Sequence, residues 1–221
     1  MVLGMSARAR FKKYLDIDRI KTVHDNVHDA FIERGPLAHN WDHIYRDTIN
    51  AVWIGEAEGA GMDIVLPAIL LHDIGFLYDP NPLHHHMIGS EKCRDWLSDW
   101  TDPDKARIAD CIKSHKGKYP GFDFEPESLE ARVVHDADLI EKTGWIGVLQ
   151  GVRTFAEFGA TGLDNYKDCK TLYGIFNRVA RFKTATFYTK TGETLAAERG
   201  GFDLRRKLID EALAELEKYE E

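Results

Sequence analysis

The chain places a histidine and an aspartate side by side, His72 and Asp73, at the end of the apolar run from Ile64 to Leu71. A run this apolar predicts a buried helix. A neutral imidazole and a carboxylate are both costly to bury without a partner, and a bound cation satisfies the two together. The pair therefore predicts a metal site in a helical core, and the alternative is a solvated helix end.

The chain is rich in further candidate metal ligands, because ten of its 221 residues are histidine. Most of these histidines fall between residues 39 and 135, on both sides of the His-Asp pair. This clustering favours a shared site over random scatter. The candidates outside the pair are His43 upstream and His84, His85, His86, His115, His135, Asp136 and Asp138 downstream.

Length and composition indicate one domain of ordinary globular type. With 43% hydrophobic residues the chain can bury a proper core, and we expect a single domain over residues 1–221. The net charge of −8 argues against binding to a phosphate backbone, so nucleic acid is not an expected partner. No stretch approaches the roughly 18 consecutive apolar residues of a membrane span, and the basic first residues lack a following apolar segment. We therefore expect no membrane association and a cytoplasmic location.

Hydrophobic periodicity predicts helices almost throughout the chain, separated by segments rich in glycine and proline. One helix is expected to begin near His43, with Asn40 or Asp42 as its cap. Asp63 is the predicted N-cap of the apolar helix that follows, and Gly75 is its predicted stop. These signals place the His-Asp pair at a helix end.

The downstream pattern predicts four more helices. Their expected ranges are about 88–100, 102–115, from about 126 onward, and 204–219. The apolar spacing of the helix after residue 126 directs Asp138 toward the core. At about 100° per residue, His135 and Asp136 cannot share a site with Asp138. We expect His135 to be a core residue or to support a ligand, and Asp136 to be exposed.

In this order, His43, the pair His72-Asp73, and Asp138 in the phrase Val-Val-His-Asp-Ala-Asp resemble the H…HD…D pattern of the HD-domain metal-dependent phosphohydrolases. The resemblance covers roughly residues 39–142, and the segment Leu139 to Gly147 is also similar to small stand-alone HD hydrolases that act on nucleotides. It implies an all-α HD-domain helical bundle with the metal site in its core, and a helical C-terminal part over residues 143–221. It also implies hydrolysis of a nucleotide or another small phosphorylated metabolite by a metal-activated water.

Two further histidines bear on the number of metal ions. Some HD proteins hold two ions through extra imidazoles between the HD pair and the last aspartate. His85, in the segment His85-His86-Met87-Ile88-Gly89, and His115, in Ile112-Lys113-Ser114-His115, resemble those two positions. His84 and His86 are the alternatives to His85.

The ligand set that the resemblance implies is joined through one carboxylate. Asp73 bridges the ions, with His43, His72 and Asp138 on the first ion and His85 and His115 on the second. This mixture of nitrogen and oxygen donors suits Mn, Fe, Co, Ni, Zn or Mg, so the expected cofactor is one or two divalent metal ions. With one ion only, His86 or Asp79 would share the proton transfer.

A phosphorylated substrate requires positive side chains near the metal. Arg46 is the first candidate, and together with Asp73 it is predicted to be catalytic. Lys116, Lys118 and Lys142 are the other candidates for substrate binding. Each of these charges has the alternative of lying on the surface without a functional role.

Three functions of different classes fit the predicted site. The first is a phosphohydrolase with a small phosphorylated substrate as its partner. The second, implied by the same resemblance, is a di-iron oxygenase, because a few HD-fold proteins with a six-ligand set use O₂ to cleave a carbon bond. The third is a binding module that the metal only stabilises. No motif indicates the substrate or the oligomeric state.

Overall fold

The computed structural model describes residues 5–81, 83–119, 122–157 and 185–218, and over these residues the fold is all-α, as predicted. The α-helices are α1 (Ala7–Tyr14), α2 (Asp18–Arg34), α3 (Trp41–Glu58), α4 (Met62–Leu71), α5 (His85–Lys92), α6 (Asp102–Ser114), α7 (Leu129–Ile140), α8 (Gly144–Glu157), α9 (Lys190–Glu198) and α10 (Asp203–Glu217). Short 3₁₀ helices cover Ile74–Leu77 and Cys93–Trp96. Two-residue strands, β1 (Lys118–Tyr119) and β2 (Phe122–Asp123), pair antiparallel between α6 and α7.

Helix α3 packs against both α4 and α7, and its buried face continues into the candidate site. Of the two predicted caps, Asn40 is the one used, because its side-chain oxygen accepts a hydrogen bond from the backbone N–H of His43. The helix ends at Gly59, whose φ of 75° is a conformation that favours glycine. The same buried face also carries a charged residue, Asp47, among apolar neighbours.

Helix α4 is buried on all sides from Ile64 to Leu71, as its composition predicts. Burying a leucine or isoleucine side chain contributes about 1.5–3 kcal/mol, so this helix anchors the core. The predicted cap was wrong, because the helix begins at Met62 with Gly61 at the N-cap position. Asp63 lies inside the first turn and pairs with Arg19 of α2 at 2.9 Å.

Gly75 has a different role from the predicted helix stop. Helix α4 ends at Leu71, and Gly75 lies in the 3₁₀ helix that follows, where it contacts the start of α5. A Cβ at this position would lie only 2.0 Å from the backbone oxygen of His85. The residue must therefore be glycine because α5 approaches it so closely.

Helix α5 begins at a different residue from the one predicted, whereas α6 begins at residue 102, the start of its predicted range. Helix α5 starts at His85 rather than near residue 88, and it ends at Lys92 in a 3₁₀ turn. His84 therefore occupies the N-cap position, and His85 and His86 form the first turn of the helix. Helix α6 is capped by Thr101, whose hydroxyl accepts a hydrogen bond from the backbone N–H of Asp104.

Helix α7 begins at Leu129 after the N-cap Ser128, close to the predicted start. The expectation that Asp136 is exposed was wrong, because this residue is fully buried. Its carboxylate accepts hydrogen bonds from the backbone N–H groups of Tyr188 and Thr189 and from the Thr189 hydroxyl. Asp136 therefore ties the segment before α9 to α7, a contact between residues more than fifty positions apart.

The hydrophobic core is formed mainly by α1 to α4, α6 and α7, and Leu195 of α9 joins it from the C-terminal part. Within the described ranges, no helix combines the length and apolar character that crossing a bilayer requires. The candidate ligands lie on or directly after α3, α4, α5, α6 and α7.

Candidate metal centre

Buried histidine and aspartate side chains converge inside the bundle, and their donor atoms form two groups. Within each group the donor atoms all lie within 4.8 Å of one another. The first group is His43, Asp47, His72 and Asp138, and the second is Asp73, His85 and His115. All six sequence-predicted ligands are therefore brought together, and the structure adds a seventh residue, Asp47.

The carboxylate of Asp73 lies between the two groups. Its Oδ2 atom is 3.4 Å from Nε2 of His43 and 3.3 Å from Nε2 of His72. Its Oδ1 atom is 3.3 Å from Nε2 of His85 and 3.9 Å from Nε2 of His115. Each oxygen thus faces a different pair of imidazoles, which is the geometry that the predicted bridging role requires.

Backbone carbonyls fix the orientation of two of the imidazoles. The Nδ1–H group of His72 donates to the backbone oxygen of Ile69 at 2.7 Å, and that of His115 donates to Ile112 at 2.6 Å. Since a carbonyl only accepts, each ring carries its proton on Nδ1 and presents Nε2 to the site. Both residues follow the last turn of a helix, and this position leaves the carbonyl three residues earlier available.

The imidazoles of the second group are held neutral by their surroundings. Burial lowers the pKa of His85 well below its usual value, and the charge of Lys116 acts in the same direction. Burial also lowers the pKa of His115, with the neighbouring His72 adding to the effect. A neutral imidazole is the form that binds a metal ion, so both rings are ready to coordinate near neutral pH.

The side chains in and around the first group shift one another's pKa values. Burial alone would lower the pKa of His72, but the carboxylates of Asp73 and Asp138 outweigh it and raise that pKa. Burial acts to raise the pKa of Asp138, but Lys142 and the surrounding histidines hold it well below its usual value. In the same group, burial instead lowers the pKa of His43 and raises the pKa of Asp47 well above its usual value, so only part of the group favours positive charge.

Several donor atoms of the site have no hydrogen-bond partner among the described residues, although they are buried. These atoms are Nε2 of His43 and His72, Oδ2 of Asp73, and both carboxylate oxygens of Asp47. A buried polar atom left unpaired costs roughly 1–3 kcal/mol, and more if it is charged. Divalent metal ions coordinated by nitrogen and oxygen would satisfy all of these atoms, so the residues present fit the expected cofactor.

The two alternatives to His85 lie elsewhere. The side chain of His84 is 60% exposed and lies 3.9 Å from Asp79. His86 is buried beside the rings of His85 and Phe124, and burial lowers its pKa to about 4, but its nitrogens belong to neither donor group. Among the three adjacent histidines, His85 is therefore the one whose ring nitrogen belongs to a donor group.

His135 supports the site from outside, as one of the two predicted roles allowed. Its Nδ1–H group donates to the backbone oxygen of His115 at 2.8 Å. A Cβ on Gly117 would lie 2.4 Å from this ring, so the loop after His115 packs closely onto α7. His135 thus holds the backbone of a candidate ligand in place.

The predicted substrate-binding cations are distributed unevenly around the site. Lys142 lies at its edge, with Nζ 2.6 Å from both carboxylate oxygens of Asp138. The Nε–H group of Arg46 donates to the buried Glu141 at 2.5 Å, so its guanidinium is paired with a carboxylate outside the two donor groups. Lys116 is close enough to the site to affect His85 electrostatically, whereas the side chain of Lys118 lies outside the described residues.

Asp47 was not predicted, although the sequence holds a signal for it. It follows His43 by four residues, so the two side chains lie on the same face of α3. That face also carries Ile44, Ala51 and Val52, which are fully buried. A carboxylate in an apolar helical stripe, one turn from a candidate ligand, indicates a buried site as clearly as the His-Asp pair does.

The fold and the site together define an all-α bundle with a buried His/Asp cluster that could hold metal ions, and comparisons with known proteins give its family. The sequence profile of the HD domain matches residues 40–143. The uncharacterized protein YpgQ of Bacillus subtilis is 31% identical over 170 residues, which is 76% of this chain and 80% of that protein. The chain belongs to the HD-domain superfamily.

Solved structures agree with this assignment. The crystal structure of Bacillus subtilis YpgQ in complex with ADP has a TM-score of 0.61 and 26% identity, over 88% of this chain and 95% of that one. A predicted HD superfamily hydrolase from an uncultured Thermotogales bacterium has a TM-score of 0.60 and 20% identity, over 93% and 98% of the two chains. The second of these supports the fold alone.

Proposed function

We propose that the protein is a metal-dependent phosphohydrolase that acts on a nucleotide or another small phosphorylated metabolite. The observation that carries the proposal is the position of Asp73, whose two oxygens face two separate pairs of buried imidazoles. Such a carboxylate suits a pair of divalent ions, which supply a water of lowered pKa and positive charge for phosphoryl oxygens. Membership of the HD-domain superfamily supports the same chemistry.

The proposed roles of the chain follow from the geometry of the site. His43, His72 and Asp138 hold one side of the centre, His85 and His115 hold the other, and Asp73 joins them. The backbone bonds to His72 and His115 keep their Nε2 atoms directed inward, so little reorganisation is needed when the centre is loaded. The low pKa of Asp73 and Asp138 keeps both carboxylates ionised at neutral pH.

Lys142 is the cation best placed to contact a phosphate. Its ammonium group lies at the rim of the site, where it neutralises Asp138 and offers further N–H donors. Arg46 has a different environment, since its guanidinium is bound to Glu141 and lies 3.5 Å from Gln150. We propose that Arg46 keeps the buried Glu141 charge compensated, and its predicted catalytic role and contact with substrate stay predictions.

A nucleotide is the substrate class that the comparisons favour. YpgQ of Bacillus subtilis, which is similar over most of this chain, has been crystallised with ADP. In this chain an aromatic ring, Phe124, lies beside His86, and Lys113 lies 4.6 Å above that ring. An aromatic side chain near the site suits stacking on a base, and the adjacent lysine adds positive charge for a phosphate.

The test is to purify the protein without added metal or oxygen and to measure its metal content by elemental mass spectrometry. The metal-free and metal-loaded forms are then assayed on nucleoside mono-, di- and triphosphates for release of phosphate or pyrophosphate. The proposal predicts hydrolysis that requires metal and is abolished by Asp73→Asn. Iron in the purified protein with O₂ consumption and no phosphate release would instead favour the di-iron oxygenase.

A further inference from the structure

The geometry points to Asp47 as an additional metal ligand of the first donor group. This inference rests on the proposed metal centre and deepens it, since Asp47 lies outside the H…HD…D pattern and outside the six predicted ligands. The ion that Asp47 would bind is a divalent first-row cation with affinity for both carboxylate and imidazole.

The distances place the Asp47 carboxylate among the other donors. Its Oδ2 atom lies 3.1 Å from Nε2 of His43 and 3.5 Å from Nε2 of His72. These two nitrogens also face Oδ2 of Asp73, at 3.4 and 3.3 Å respectively. The Oδ2 atoms of Asp47 and Asp73 therefore both face the Nε2 atoms of His43 and His72. A single cation at this position could bind all four side chains.

The burial of the Asp47 carboxylate favours a bound cation as its partner. The residue has no solvent exposure, and neither of its carboxylate oxygens makes a hydrogen bond to the described part of the chain. Each of its contacts with an imidazole nitrogen lacks hydrogen-bond geometry. A buried carboxylate that lacks these bonds strongly destabilises a folded protein, and a coordinated cation removes that cost.

A ligand role for Asp47 has a consequence for metal preference. The first group then offers the oxygens of Asp47 and Asp138 beside the nitrogens of His43 and His72. Adding a carboxylate makes the donor set harder, which favours ions such as Mn²⁺ over soft ions. The second group, with one carboxylate and two imidazoles, lacks this bias.

The experiment compares the wild type with Asp47→Asn, which keeps the shape of the side chain and removes its charge. Asp42→Asn is the matched control, because Asp42 is an exposed aspartate on the same helix. Binding of Mn²⁺ to the metal-free proteins is measured by calorimetry, without any substrate. We expect Mn²⁺ affinity at the tighter site to fall by about 100-fold or more in Asp47→Asn and to be unchanged in Asp42→Asn.

Thermal unfolding separates loss of a ligand from loss of the fold. In EDTA, Asp47→Asn should melt at the same temperature as the wild type or higher, because a buried carboxyl group without a hydrogen-bond partner in the described part of the chain has been replaced. With saturating Mn²⁺ the order should reverse, since the wild type gains more from the metal. Equal Mn²⁺ affinity for wild type and Asp47→Asn would overturn the ligand role while leaving the proposed function intact, whereas a wild type that binds no metal would remove both.

A measurement on the wild type alone covers the case in which the variant does not fold. Crystals loaded with Mn²⁺ and examined by anomalous diffraction give the ion positions directly. We expect a carboxylate oxygen of Asp47 at coordination distance from one ion, about 2.0–2.2 Å by comparison with zinc–carboxylate bonds. An ion bound by His43, His72 and Asp73 with Asp47 outside coordination distance would refute the inference.

Discussion

The two donor groups of the metal centre differ in how they attract a cation. The first group contains two carboxyl groups of its own, Asp47 and Asp138, besides the shared Asp73, and Asp73 and Asp138 raise the pKa of His72. The second group relies on neutral imidazoles, and its one carboxylate is the shared Asp73. We therefore expect the first group to bind the tighter ion and the second to depend on it.

The largest effect is expected from the residue that the two groups share. Asp73→Asn should reduce metal content at both positions and lower the metal-dependent activity by more than about 100-fold, because each group loses a charged oxygen. Elemental mass spectrometry and initial rates check this. Asp95→Asn, an exposed aspartate in the 3₁₀ helix Cys93–Trp96, is the control and should leave both quantities unchanged. Retention of two ions in Asp73→Asn would contradict the bridging geometry.

The second prediction separates the groups. His85→Ala should remove one ion and leave the other bound, because His43, His72 and Asp138 come from α3, the end of α4 and α7 rather than from α5. The neighbouring His84→Ala is a matched control, since the His84 side chain is largely exposed and belongs to neither group. Loss of both ions in His85→Ala, with the fold intact by circular dichroism, would show that ion binding at the first group also depends on the second group.

The third prediction concerns the cation at the rim of the first group. Lys142→Met should raise KM for a phosphorylated substrate about tenfold, with a smaller change in kcat, if its ammonium group contacts the phosphate. The reference variant is Lys190→Met, whose side chain is 82% exposed on α9. An unchanged KM in Lys142→Met would assign Lys142 to the compensation of Asp138 alone.

The fourth and smallest effect is a contrast in pH dependence between the groups, measured on metal-free protein. The folded pKa of His115 lies below its usual 6.5, so the unfolded chain takes up its proton first and stability is lost as pH falls below about 6.5. The folded pKa of His72 lies above 6.5, so His72 stabilises the folded state below that pH, and this contribution is lost as pH rises through the folded value.

Variants of the two histidines should therefore respond to acid in opposite ways. In urea unfolding between pH 7 and pH 5, His115→Gln should make the acid loss of stability shallower, and His72→Gln should make it steeper. Profiles that change in the same direction for both variants would remove the electrostatic distinction between the groups.

The parts of the site that could be predicted are those that a local pattern carries. The His-Asp pair after an apolar helix and the inward direction of Asp138 both follow from composition and helical spacing. Asp136 was misjudged, because its partners Tyr188 and Thr189 lie more than fifty residues away in sequence. Asp47 was not predicted, although its position on a buried helical stripe, one turn from His43, is itself a local signal.

The errors at helix starts have a similar origin. Asp63 is a favourable cap by residue type, but its carboxylate pairs with Arg19 of α2, a contact that no local rule anticipates. The helix after the histidine triplet was predicted to begin near residue 88, whereas α5 starts at His85. Gly75 was read as a stop because a glycine at a helix end and a glycine at a close contact look alike in sequence.

The contact at Gly75 makes the distance between the two donor groups sensitive to a single methyl group. Gly75 follows the bridging Asp73 by two residues and lies against the backbone of His85, one of the second group's imidazoles. An alanine here would push α5 outward and lengthen the gap that Asp73 must span, with no change to any ligand. In the proposed two-ion centre, this substitution is therefore expected to weaken binding at the second group although every ligand is retained, so the spacing of the two groups depends on the absence of a side chain at Gly75.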